Sequence, residues 1–303
     1  MIIIIFCILM AIIISAFVFI KSKKDYKPSF INVKYGDHPR QCMDIWLPQT
    51  NSPSSAVVFF HGGGFSVGEK YLSDMQKDVM KKNKNVASIS VNYRLCTESI
   101  FPSQFEDAQK AIQFIKYHAK KFNIDKNKII IAGESAGGIL ALWIGLHDDL
   151  ANKQSSNPIE KESTKVRAIW TWGAMTTFDH NIVKEKIGGP VESVKIWPKL
   201  FGVETFDKLN SPSMKEVVYE LSPISHASEI SPPMFMIGYT PTIKPLPQGI
   251  SNDFFIHNAK FALLLKNKMN GYKVPCYVVW EDEKHLSKKE IEELQNKFFD
   301  SVL

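Results

Sequence analysis

The sequence predicts an α/β fold, a mainly parallel sheet flanked by helices. Three observations predict it. Short apolar runs of strand length recur along the chain. Stretches with helical periodicity lie between them. Glycine-rich turns follow two of the apolar runs, where a strand would hand over to a loop or a helix.

Residues 1–20 carry no charged side chain. As a helix, they would span about 30 Å, the thickness of a bilayer's hydrocarbon core. The run lacks the basic leader and small-x-small cleavage site of a signal peptide. It is therefore expected to be an uncleaved single-pass transmembrane helix. Lys21, Lys23, Lys24 and Lys27 follow in a basic linker, residues 21–30. The positive-inside rule keeps such lysines, and the domain after them, in the cytoplasm. The expected organisation is thus an anchor (1–20), a linker (21–30) and one domain (31–303).

Within the domain, residues 43–47 alternate and stop at Pro48, as a strand does. Residues 56–60, 86–91, 128–132, 166–172, 234–237 and 275–280 have the continuous apolar form of strands buried on both faces. Between them, residues 105–122 place Ala108, Ala111, Ile112, Ile115 and Ala119 on one helical face. Residues 136–146 are apolar almost all round, which suits a covered central helix. Residues 254–269 read as one long helix, and Ser287 with Glu290 forms a capping box opening the last one. Residues 176–221 break the rhythm with Gly188, Gly189, Pro190, Pro198 and Pro212, and are expected to form a small cap over the sheet edge.

Composition narrows the function. Of 303 residues, 45% are hydrophobic and 22% charged, which fits a packed domain and not a disordered one. The net charge of +6 includes lysine clusters at Lys77, Lys81, Lys82 and Lys84 and at Lys120 and Lys121. No nucleic-acid-binding motif accompanies them, so they read as solvated helix faces and no nucleic-acid partner is expected. Cys7, Cys42, Cys96 and Cys276 form no C-x-x-C pair, so neither a zinc site nor a disulfide framework is expected. No metal or cofactor is called for.

Gly133-Glu134-Ser135-Ala136-Gly137 is a G-x-S-x-G pattern between a strand-like run and an apolar helix. That setting makes a nucleophile elbow: flanking glycines admit the tight turn, and the serine sits at a helix N-terminus. His61-Gly62-Gly63-Gly64 follows the run 56–60. Glycines there leave backbone N–H groups open to a substrate, as an oxyanion hole requires. Gly63 and Gly64, joined by Ala136, are the candidate donors, and His61 reads as scaffold. Glu106 and Asp107 read as structural helix-start carboxylates, and Arg94 as a structural ion-pair partner.

HGGGFSVGEK, VNYRL, FPSQFEDAQKAIQFI and GESAGGILAL resemble the α/β-hydrolase esterases of the hormone-sensitive-lipase and feruloyl-esterase-like (BD-FAE) groups. YGDHPRQCMDIWLP resembles the start of that domain, and LSPISHASEISPPMFMIG its approach to the acidic loop. The resemblance implies an α/β-hydrolase fold and a Ser-His-Asp hydrolase acting on a small-molecule carboxylic ester without a cofactor. It implies Ser135 as nucleophile and His285, in the loop before the last helix, as base. The other histidines (His38, His118, His147, His180, His226, His257) read as surface or structural. The family's acid follows the strand that here ends near Gly238, yet no acid occurs until Asp253. Asp253 is the candidate, after an inserted loop, while Asp282 and Glu283 are poorer partners because they adjoin His285. The same machinery also serves amide, formamide and peptide bonds. The delayed acid leaves open a catalytically inactive, membrane-bound binding module.

Overall fold

The structure is a computed structural model, and it describes residues 26–241, 244–280, 282 and 286–303. The anchor expected at residues 1–20 lies outside the described residues. Among the described residues, no helix is long and apolar enough to cross a membrane.

Eight strands form one sheet in the order β1-β2-β4-β3-β5-β6-β7-β8. They are β1 Phe30–Lys34, β2 Cys42–Trp46, β3 Ser54–Phe60, β4 Val86–Val91, β5 Ile124–Glu134, β6 Ala168–Trp172, β7 Met234–Ile237 and β8 Cys276–Val279. β1 pairs β2, and β2 pairs β4, antiparallel. All later pairings are parallel. The alternating run at 43–47 is thus the antiparallel β2, and the continuous apolar runs are the parallel strands, as burial on both faces demands. Every residue of β3 and β4 is buried.

One core lies on the face covered by the helices Ser103–Tyr117, Ala136–Leu146 and Ala259–Gly271, with Phe105, Leu140 and Phe261 fully buried. The other lies under Asp74–Lys82 and Lys288–Val302, around Phe59, Trp170 and Phe235. The last of these helices starts with the expected capping box: Ser287 Oγ accepts from the Glu290 N–H, and the Glu290 carboxylate accepts from the Ser287 N–H. Asp107 departs from its helix-start reading. Its fully buried carboxylate accepts from the Arg94 guanidinium at 2.6 Å and from the Gln41 amide at 2.6 Å. It therefore pins the helix Ser103–Tyr117 to the loop after β4, and Arg94 is the ion-pair partner expected.

Between β6 and β7 the chain makes only short helical turns, among them Ile196–Phe201 and Lys215–Leu221, and no strand. Phe178, Trp197 and Phe201 pack there ring against ring.

The expected helix 254–269 is two helices, Asn252–Ile256 and Ala259–Gly271. The break has a local cause. The Asn258 side chain accepts from the Lys260 N–H, capping the second helix, and its amide donates to the Thr240 carbonyl. Tyr239 then pairs with both sides of the break: its N–H donates to the His257 carbonyl at 2.8 Å, and its carbonyl accepts from the Ala259 N–H at 2.9 Å. Gly238 allows this approach, because a Cβ there would stand 2.9 Å from both the Ala259 nitrogen and the His257 oxygen.

Candidate active site

Ser135 sits between β5 and the helix Ala136–Leu146 with φ 50° and ψ −118°, a conformation costly for a residue with a side chain. Its N–H donates to the Trp172 carbonyl at 2.8 Å, which ties the turn to β6. The flanking glycines are sterically required. A Cβ on Gly133 would overlap the Gly137 backbone, and one on Gly137 would overlap the Phe60 carbonyl at the end of β3. The elbow is therefore wedged among three strands, and the side chain of Ser135 stands clear of the sheet.

The Ser135 hydroxyl meets His257, whose Nε2 lies 2.8 Å from Oγ. Nδ1 of the same ring lies 3.0 Å from Asp253 Oδ1, although the ring N–H is off the line to that oxygen. Asp253 Oδ2 accepts from the Tyr239 hydroxyl at 3.0 Å. The broken helix makes this possible. Asp253 lies in its first turn and His257 caps its end, one helical turn on, so both face the same way. Gly173 leaves the ring its seat, because a Cβ there would stand 2.9 Å from His257 Cδ2. The ring also packs at 5.0 Å against Trp172. Burial lowers the His257 pKa below the ordinary imidazole value, with Asp253 opposing the shift. The ring is then neutral at neutral pH, the form that can accept a proton.

His257 is a correction to the sequence reading, which set it among surface or structural histidines. His285, the expected base, lies outside the described residues. Asp253, the candidate acid, stands beside the histidine that contacts Ser135. Asp282 lies in an antiparallel bridge with Leu286, and Glu283 lies outside the described residues. The only sequence signal for His257 is its place just before Asn258, a capping residue inside an otherwise helical run.

The glycine loop after β3 borders the elbow. A Cβ on Gly62 would stand 3.5 Å from Ser135 Cβ. The Gly63 carbonyl accepts from the Ser66 and Val67 N–H groups, which turns the Gly64 N–H of the same planar peptide the opposite way. Gly63 has φ 110°, and a Cβ there would overlap the Val67 carbonyl oxygen. The N–H groups of Gly63, Gly64 and Ala136 donate to no other described residue. His61 is scaffold: its ring stacks on Tyr93 at 4.4 Å, and its carbonyl accepts from the Tyr93 hydroxyl. Burial holds its pKa down at about 4. Tyr71 donates to Glu134, the residue before the nucleophile, at 2.6 Å and so ties the loop to the elbow.

One group of described residues has donor atoms close enough for a metal: His147, Glu220 and His226. The two imidazoles stack 3.4 Å apart at 29°, so their ring planes do not converge on a nearby ion. His226 Nε2 also lies 2.9 Å from the Glu220 carbonyl oxygen. The group ties the segment after β6 to the end of the nucleophile helix.

This sheet, with a serine elbow at the end of its central strand, defines an α/β-hydrolase. The BD-FAE family model matches residues 43–241, and the chain belongs to that family. Esterase LipC of Mycobacterium tuberculosis (strain ATCC 25618 / H37Rv) is 24% identical over 222 residues, 72% of this chain and 53% of LipC. Arylacetamide deacetylase of Oryctolagus cuniculus is 28% identical over 169 residues, 52% of this chain and 41% of the relative. The chain thus spans about half the length of the curated relatives it matches. Among solved structures, the acetyl ester-xyloside bifunctional hydrolase from Caldicellulosiruptor lactoaceticus shares the fold with a TM-score of 0.66 at 22% identity, covering 86% of this chain and 88% of that one. A truncated carbohydrate esterase from gut microbiota does so with a TM-score of 0.67 at 20% identity, covering 91% and 96%.

Proposed function

We propose that the chain hydrolyses carboxylic esters through an acyl-enzyme on Ser135. The observation that carries this is the 2.8 Å contact between Ser135 Oγ and a buried imidazole, His257 Nε2. His257 takes the hydroxyl proton as Oγ bonds to the ester carbonyl carbon. The oxygen gains negative charge, which the N–H groups of Gly63, Gly64 and Ala136 receive. The carbon–oxygen bond to the alcohol then breaks, and His257 returns its proton to the departing oxygen. Water repeats the sequence and frees the acid. Asp253, steadied by Tyr239, orients the ring and offsets its transient positive charge. No step calls for a metal or cofactor.

Membership of the BD-FAE family and the likeness to Esterase LipC support an ester as the bond broken. The likeness to arylacetamide deacetylase favours an amide as the second reading, and matched ester and amide substrates separate the two. The uncharged run at residues 1–20 supports a membrane tether, and Lys21, Lys23, Lys24 and Lys27 after it support a cytoplasmic side for the domain. Carbonate extraction of cell membranes, with and without that run, tests the tether.

The test of function is hydrolysis of p-nitrophenyl esters by the chain and by its Ser135→Ala variant. Hydrolysis that disappears in the variant supports the reading. A folded wild-type chain inert to esters and amides alike contradicts it.

A further inference from the structure

Beside Ser135 lies a narrow apolar chamber of about 30 Å³. One end is the reaction centre, formed by Gly64, Ser135 and Ala136. The segment after β6 supplies much of the remaining lining, with Phe178, Ile196 and Trp197 among its walls. His257 does not line it. Since His257 must reach the departing alcohol, the alcohol leaves on the imidazole's side. The chamber, which shares its end with the oxyanion donors, then faces the acyl substituent of the bound carbonyl.

The walls are held firmly. Trp197 is 2% exposed, packing on Phe178 at 5.1 Å and on Phe206 at 5.6 Å. Phe201 packs on Phe178 at 5.9 Å and on Phe101 at 6.0 Å. The Leu200 carbonyl accepts from the Phe101 N–H at 2.9 Å, which fastens this turn to the body of the domain. Ile196 reaches the glycine loop: its Cγ1 would stand 3.7 Å from a Cβ on Gly64. A space of this size takes roughly one or two water-sized groups, and forcing more into a packed wall is unfavourable.

We propose that this chamber receives the acyl chain and limits it to about two or three carbons, with Phe178, Ile196 and Trp197 setting the limit. The substrates are then acetyl and propionyl esters, whose alcohol part extends on the imidazole's side. This rests on the serine-hydrolase reading above.

The experiment compares kcat/KM of the full chain, in detergent, for p-nitrophenyl acetate, propionate, butyrate, hexanoate and octanoate. The expected result is a fall of about tenfold or more from propionate to hexanoate, the scale on which a pocket senses methylenes. Ile196→Ala should narrow that ratio by about tenfold, and Val194→Ala, also in the lining, serves if the first variant fails to fold. Ser135-dependent hydrolysis that climbs through octanoate would overturn the limit and leave the esterase reading standing. A ratio unchanged in a folded wall variant would overturn the assignment of these walls. A folded chain inert to every ester would overturn the esterase reading, and the limit with it.

Discussion

His257 lies one helical turn after Asp253 and 122 residues after Ser135, and its ring links the two side chains. In the proposed triad, acid and base share one short helix, Asn252–Ile256 and its cap, so the segment between β7 and the helix Ala259–Gly271 delivers both. The order serine, acid, histidine along the chain is the one this fold uses.

Tyr239 holds the far oxygen of Asp253, and its ring stacks on Phe254 at 5.4 Å. Tyr239→Phe keeps the stacking and removes the donor. The expected effect is a fall in kcat of about tenfold, the worth of one hydrogen bond to a charged group, with KM unchanged. Steady-state kinetics on a short-chain ester checks this, and an unchanged kcat would remove Tyr239 from the positioning of Asp253.

The pH profile follows from the lowered pKa of His257. The reaction needs the ring neutral, and burial makes it release its proton below the ordinary value. Activity should therefore persist as pH falls through about 6.5 and be lost only below it. A kcat/KM profile with its acid midpoint above 7 would contradict the buried placement of this ring.

Gly63→Ala should disable the glycine loop without unfolding the protein. The new methyl overlaps the Val67 carbonyl oxygen at a φ of 110°, so the loop must shift. Displacing one oxyanion donor costs about a hundredfold or more in kcat. Rates measured beside a thermal melt check it: low kcat with a near-normal melt is expected, and full activity would exclude this loop from the oxyanion site.

Much of this was legible in the sequence because periodicity reports burial. The parallel strands β3 to β7 are largely buried, and their buried stretches show as short, mostly apolar runs. The elbow and glycine loop show because only glycine fits at Gly63, Gly133 and Gly137. The role of His257 was not legible. Residues 254–269 keep helical spacing through the break, and the break depends on Tyr239 and Thr240 meeting Asn258 from a neighbouring loop. Such long-range pairing leaves no periodic trace. The chamber was hidden for the same reason: residues 176–221 fold as short turns whose side chains gain meaning only by meeting Gly64 and Ser135.

Asp107→Asn tests the scaffold apart from the chemistry. Asp107 is fully buried against Arg94, whose N–H groups and main chain it accepts from. Removing the charge leaves the guanidinium with the more exposed Glu106, 3.5 Å away, as its charged partner, at a cost on the order of 2 kcal/mol. Denaturant unfolding should show that loss, with kcat of the folded fraction little changed. Unaltered stability would contradict the structural reading of the pair.

The assignment of the base is tested most directly by comparing His257→Gln with His285→Gln on p-nitrophenyl acetate, each checked for folding. His257→Gln is expected to lower kcat/KM by about a thousandfold or more, as loss of a triad member does, while His285→Gln stays within a few-fold of wild type. A collapse of activity in His285→Gln, with His257→Gln near wild type, would contradict it and move the base to the loop after β8.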